Sequence, residues 1–163
     1  MRDDRLVAGI EDLYRERYRQ FLRVATAILG DEAIAHDAVQ DGFAEALRQR
    51  TSFRGDGALG AWVWRIVLNT ALAARRVRAA RREDPEVQGG PLSSNGDPAD
   101  EAGVWRWIAA LPERQRLAVF LRYYADLDYR SIATALAVDV GTVSATLSAA
   151  HQALRRSLKE VPR

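Results

Sequence analysis

Residues 111–158 read LPERQRLAVFLRYYADLDYRSIATALAVDVGTVSATLSAAHQALRRSL, and the spacing within 129–147 decides the fold. Ile132, the small Ala133 and Leu136 fall on one side of a short helix, Val138 sits in a tight turn, and Val143 and Leu147 face back from the next helix. Helices so spaced pack at a steep angle and turn the outer face of the second toward solvent, where it fits a DNA major groove. An ordinary αα corner has the same apolar pattern, so spacing alone leaves both readings open.

Working outward, the rest of the chain also carries helical periodicity and no strand alternation. A first helix is expected over 10–29, with Leu13, Tyr14, Tyr18, Phe21, Leu22, Ala25, Ile28 and Leu29 on its inner face and Gly30 ending it. Asp31 is placed to cap a second helix over 32–48, whose Ala35, Ala38, Val39, Gly42, Phe43, Ala46 and Leu47 form a stripe. Asp37, Gln40, Asp41 and Glu45 lie nearer its other face, which is acidic. The glycine-punctuated TSFRGDGALG at 51–60 reads as a loop, and helical periodicity resumes from Ala58. Leu59, Trp62, Val63, Ile66 and Thr70 are expected inward, which makes Trp62 a core residue and leaves Trp64 open to a core or a base-stacking role. Arg65, Asn69, Arg75 and Arg76 fall on exposed faces, and Arg78, Arg81 and Arg82 extend a basic stripe suited to phosphate.

The net charge of +2 conceals a segregation along the 163 residues. Residues 1–82 carry 15 arginines and 11 acids, a charge of +4; 83–104 carry six acids and no base; 105–163 carry nine bases and five acids, again +4. The middle segment, EDPEVQGGPLSSNGDPADEAGV, is too rich in Gly, Pro, Ser and Asp to bury a core and reads as a flexible acidic linker that holds the flanking modules apart. Asp97 and Pro98 then cap and start a helix through Trp105, Trp107, Ile108 and Leu111, and Pro112 starts the next. The expected architecture is all-α: two small helical domains, 1–82 and 105–163, joined through 83–104. Basic modules favour a polyanionic partner, although solvated arginine-rich helix faces give the same balance.

Composition closes off other classes. With no cysteine and two isolated histidines there is no disulfide framework and no tetrahedral metal set, so neither metal nor cofactor is expected. His36 and His151 have no partners of a catalytic base, and no Ser, His and acid arrangement stands out, which argues against an enzyme. No apolar run nears the roughly 20 residues of a membrane span, and the start MRDDRLVAGIEDLY lacks the basic flank and apolar core of a signal peptide. A cytoplasmic protein without direct membrane insertion, monomeric when free, is expected.

Three blocks, LYRERYRQFLRVATAILGDEAIAHDAVQDGFAEAL, FRGDGALGAWVWRIVLNTALAARR and LPERQRLAVFLRYYADLDYRSIATALAVDVGTV, in that order, resemble an extracytoplasmic-function sigma factor, a sigma-70 family member with only its second and fourth domains. The resemblance implies a promoter-specificity subunit whose partners are core RNA polymerase, through the β′ clamp and the β flap, promoter DNA, and an anti-sigma factor. It assigns polymerase docking to Asp37, Val39, Gln40, Asp41, Phe43, Glu45 and Leu47. Opening and reading of the −10 element falls to Arg54, Gly55, Asp56, Trp64, Arg65, Asn69, Arg75, Arg76 and Arg78. Reading of the −35 element falls to Arg130, Thr142, Ser144, Thr146, Ser148, His151, Arg155 and Arg156. The chemistry of the −10 set fits independently: arginines hold phosphates, and an asparagine amide can pair with a base edge.

Three features depart from the family pattern. Ser144, Thr146, Ala149 and His151 stand where Lys or Arg is usual on the recognition helix, and Ala137 stands where the turn usually has glycine. Ala73 also replaces a common acid. The base-poor recognition helix keeps a rival open, a sigma-like decoy that binds polymerase or an anti-sigma factor without reading promoters. A free-standing helix-turn-helix repressor leaves the first domain unexplained.

Overall fold

The computed structural model describes residues 1–81 and 106–160, and every regular element among them is helical. The expected linker, the Asp97 and Pro98 helix start, and Arg82 lie outside the described residues. Helix α1 spans Arg2–Leu29, α2 Glu32–Gln49 and α3 Leu59–Ala80; after a helical stretch at 106–109 come α4, Glu113–Tyr123, α5, Tyr129–Leu136, and α6, Val140–Lys159.

Helix α1 starts at Arg2 rather than at Ile10, because Leu6 and Val7 prolong the inward stripe. It ends as the sequence requires: Gly30 adopts φ 70° and its N–H donates to the Thr26 carbonyl at 2.7 Å. The Asp31 carboxylate then accepts from the Ile34 N–H at 3.1 Å and caps α2. Helices α1, α2 and α3 pack on one another around aromatic rings. Phe21 stacks on Trp64, centroids 3.8 Å apart and planes 16° apart, and meets Phe43 edge-on at 4.8 Å. Gly42 lets α2 and α3 approach closely, since a Cβ there would lie 2.9 Å from the Val67 Cα.

The buried arc of α3 differs from the expected one. Val63, Trp64, Val67, Leu68 and Ala71 are buried, whereas Leu59, Trp62, Ile66 and Thr70 are half-buried. The inner face is thus rotated by about one residue, roughly 100°. Trp64 and Val67 turn toward α1 and α2, against Phe21 and Gly42, while Leu68 and Leu72 turn toward α5, so α3 is covered on two sides. The modules therefore touch instead of being held apart. Leu68 and Leu72 of α3 line a cavity of about 180 Å³ with Leu117, Leu136 and Val143, and Arg75 pairs with Glu113 at 3.3 Å. Apolar side chains on the far flank of α3 need this cover.

In the second module Phe120, Ile132, Val143, Leu147 and Ala150 make the core. Asp128 caps α5 by accepting the Ser131 N–H at 2.7 Å, and that bond holds its carboxyl below the usual carboxylate range. Ala137 carries the turn in the left-handed region, φ 54° and ψ 48°, and the Val138 N–H returns to the Ala133 carbonyl at 3.0 Å. The chain bends by 99° between α5 and α6, the steep crossing that the spacing predicts.

Candidate nucleic-acid interface

A groove of about 890 Å³ runs between α2 and α3 and gathers Arg48, Ser52, Trp62, Arg65, Asn69 and Thr70. Arg65 and Asn69 are four residues apart on α3, hence on one face, and both are exposed. Trp62 is half-buried, with its ring tilted against Phe53 at 5.5 Å. The groove thus offers a ring for a base to stack on, an amide that can donate and accept at a base edge, and guanidiniums for phosphate. Its wall is also acidic. Asp41 and Glu45 line it, and Gln49 and then Arg48 hydrogen-bond to the Glu45 carboxylate and push its pKa below the usual value.

The two tryptophans exchange the roles the sequence suggests. Trp64, carried as a −10 candidate, is 1% exposed and locked against Phe21, so no base can reach it. Trp62, expected in the core, lines the groove. The rotation of the buried arc of α3 accounts for both corrections.

The docking set on α2 also divides. Val39 is fully buried, so it seats α2 on the core and is not the surface contact expected; Phe43 is largely buried as well, but its ring still reaches a groove between α1 and α2. Asp37, Gln40 and Asp41 are exposed. Asp41 and Glu45 line the α2–α3 groove, whereas Gln40 and Leu47 border a second one, about 420 Å³, floored by Ile10, Tyr14 and Phe43 between α1 and α2. Leu47 is half-buried there.

Part of the arginine run is already engaged. Arg75 pairs with Glu113, and Arg78 donates to the Leu29 carbonyl at 2.8 Å, closing the C-terminal end of α1. Arg76 and Arg81 are exposed, as are Arg54 and Asp56 in the preceding loop, where Gly55 and Gly57 adopt φ 85° and 112°.

On α6 the expected −35 set falls on two flanks of the buried Val143, Leu147 and Ala150 face. Ser144, Ser148 and Arg155 share an outward stripe, and Arg130 and Arg156 are exposed. Thr142 and Thr146 lie on the opposite flank and line the cavity beneath α3 together with Asn69. One groove cannot take both flanks in this arrangement. His151 is engaged too: its Nε2 lies 2.8 Å from the hydroxyl of Tyr123, an α4 residue that is 60% exposed. Tyr123 sits 28 residues from His151, and no local sequence pattern announces such a pairing. Arg48, Ser52 and Thr70 carry no signal of their own in the sequence either, because they join the groove only through the close α2–α3 packing.

Among the described residues no single helix is long and apolar enough to cross a membrane, and no cluster of His, Asp and Glu could hold a metal.

Comparison with known proteins brings these elements together. Sigma-70 region 2 matches residues 13–83, and Sigma-70, region 4 matches residues 103–159. The RNA polymerase sigma-H factor of Pseudomonas aeruginosa is 31% identical over 169 residues, 93% of this chain and 88% of the relative. The ECF RNA polymerase sigma-E factor of Escherichia coli K12 is 32% identical over 143 residues, 78% of this chain and 75% of the relative. Two solved structures share the fold at 22% identity. CnrH, in complex with the cytosolic domain of CnrY, has a TM-score of 0.72 over 99% of this chain and 97% of its own. The sigma factor RpoE of Bartonella quintana, in complex with the anti-sigma factor NepR, has a TM-score of 0.69 over 93% and 99%.

Proposed function

The chain belongs to the extracytoplasmic-function group of the sigma-70 family, RNA polymerase sigma factors with regions 2 and 4 only, and from that membership we propose how its surfaces divide the work of initiation. Such factors are non-enzymatic; their partners are core RNA polymerase and promoter DNA. The α2–α3 groove opens and holds the −10 element, the exposed Asp37 and Gln40 with the α1–α2 groove dock on the β′ clamp, and the outward stripe of α6 meets the −35 element. An anti-sigma factor is a further partner, as it is for the two solved neighbours. The acidic segment 83–104 remains the proposed linker between domains 1–82 and 105–163.

A single observation carries the opening role: Trp62, Arg65 and Asn69 meet in one open groove, with Arg54 exposed in the loop before it. An unpaired base needs a flat partner, an edge partner and a phosphate partner within one nucleotide's reach. Strand opening is therefore a binding equilibrium, in which the groove captures a base that has left the stack. The decoy reading has one observation in its favour, the Ser144, Thr146, Ala149 and His151 of α6 that stand where bases are usual. Run-off transcription with purified core polymerase on genomic promoter fragments separates the two. Discrete transcripts that require this chain support a promoter-reading factor, and tight core binding without any specific transcript supports the decoy.

A further inference from the structure

The loop between α2 and α3 is held by a part of the chain far from it in sequence. The Asp3 carboxylate takes two hydrogen bonds from Arg50, Nε to Oδ1 at 2.7 Å and Nη2 to Oδ2 at 3.0 Å. Arg50 also donates through Nη1 to the Leu47 carbonyl at 2.7 Å, so the same guanidinium closes the end of α2. Next to it the Arg2 guanidinium donates to two successive loop carbonyls, Phe53 at 3.4 Å and Arg54 at 3.3 Å. At Gly55 the nearest group to a built Cβ is that guanidinium, 3.9 Å away, and φ there is 85°. On its other side the loop rests on Trp62 through Phe53.

A two-pronged Arg–carboxylate pair fixes direction as well as distance, which one-point surface ion pairs do not. Asp3 and Arg50 favour each other's charged form: the Arg50 hydrogen bond holds the Asp3 carboxyl below its ordinary value, and the same bond raises Arg50. Loops without such ties must lose conformational entropy when they close on a ligand.

We infer that the first turn of α1 is a positioning element for promoter opening: Arg2 and the Asp3–Arg50 pair preset the Arg54–Gly57 loop, so that an extruded base meets a formed wall beside Trp62. The inference rests on the proposed opening role of the α2–α3 groove. It makes Arg2, Asp3 and Arg50 positioning residues that touch no DNA.

The test uses the full chain assembled with core polymerase, on a duplex promoter that the wild-type holoenzyme opens, with 2-aminopurine in the −10 element. Asp3→Ala and Arg2→Ala are each expected to slow opening by about threefold to tenfold, at unchanged core affinity. Asp3→Glu, which keeps the carboxylate, restores the wild-type rate, and Asp4→Ala, in the same helical turn, has no effect. In the free chain, trypsin cuts the bond between Arg54 and Gly55 faster in Asp3→Ala by a similar factor, and at the wild-type rate in Asp3→Glu. Slower opening with unchanged cleavage, or faster cleavage with unchanged opening, overturns the positioning role. If Asn69→Ala slows opening while Asp3→Ala and Arg2→Ala leave both readouts alone, only the positioning role falls. If Asn69→Ala leaves opening unchanged as well, the groove is not the opening surface and both readings fall.

Discussion

Helices α3 and α6, 22 and 20 residues long, each lie on a core by one face and offer another outward, yet they offer very different chemistry. The exposed face of α3 carries Arg65, Asn69 and Arg76 beside a groove walled by an aromatic ring. That of α6 carries Ser144, Ser148 and Arg155, while its histidine is bonded to Tyr123 and its two threonines face α3. Hydroxyls contact DNA without the charge that makes phosphate binding strong, and they discriminate bases less sharply than guanidiniums or amides. On the proposed division of surfaces, the energy of promoter recognition is expected to be weighted toward the first module.

Substitutions in the two modules give that contrast measurable consequences. The largest effect belongs to the core of α3. Trp64→Ala removes the ring stacked on Phe21 and lowers stability by about 3–5 kcal/mol in thermal or denaturant unfolding. Trp62→Ala, on the groove side of the same helix, leaves most of the stability in place and lowers promoter opening instead. Next come the polar groups of the groove. Arg65→Ala with Asn69→Ala lowers opening by about tenfold to a hundredfold, since a base-specific interaction is worth roughly 1–3 kcal/mol. Without the Arg65 guanidinium to neutralise a phosphate, the slope of log affinity against log salt drops by about 0.7 to 0.9. A drop confined to core affinity would move these residues out of the DNA groove.

Smaller effects lie in the second module. Asp128→Ala removes the cap of α5 and lowers stability by about 1 kcal/mol. Because the folded Asp128 pKa is depressed, its contribution is complete above the unfolded carboxylate value of about 3.9 and disappears as pH falls through the lower folded value. The acid limb of the unfolding curve is accordingly shallower in Asp128→Ala. Ala137→Gly acts in the opposite direction. It relieves a left-handed alanine and raises stability by up to about 1 kcal/mol in the same unfolding assay, with no change in opening.

Much of this is legible in the chain because local rules decide it. Gly30, Asp31 and Pro112 mark helix ends, and the Ile132, Leu136, Val143 and Leu147 spacing marks the helix-turn-helix, all without reference to distant residues. Ala137 is legible too, since its position calls for a glycine conformation and the structure puts it at φ 54°. What local rules miss is phase. Periodicity reveals that α3 is amphipathic, but which of Trp62 and Trp64 points inward depends on where α1 places Phe21, the ring on which Trp64 stacks, a contact that the spacing within α3 does not register. The same limit hides the α6 flanks, the Tyr123 and His151 pair, and the Asp3–Arg50 tie across 47 residues.

Scrambling each promoter element in turn, and measuring opening by the wild-type holoenzyme, tests most directly whether α3 outweighs α6. Loss of the −10 sequence is expected to cost at least about tenfold more in opening rate than loss of the −35 sequence, the difference of roughly one good base interaction. Equal losses, or a greater loss from the −35 element, would contradict the weighting toward α3 and return promoter recognition to the hydroxyl-bearing face of α6.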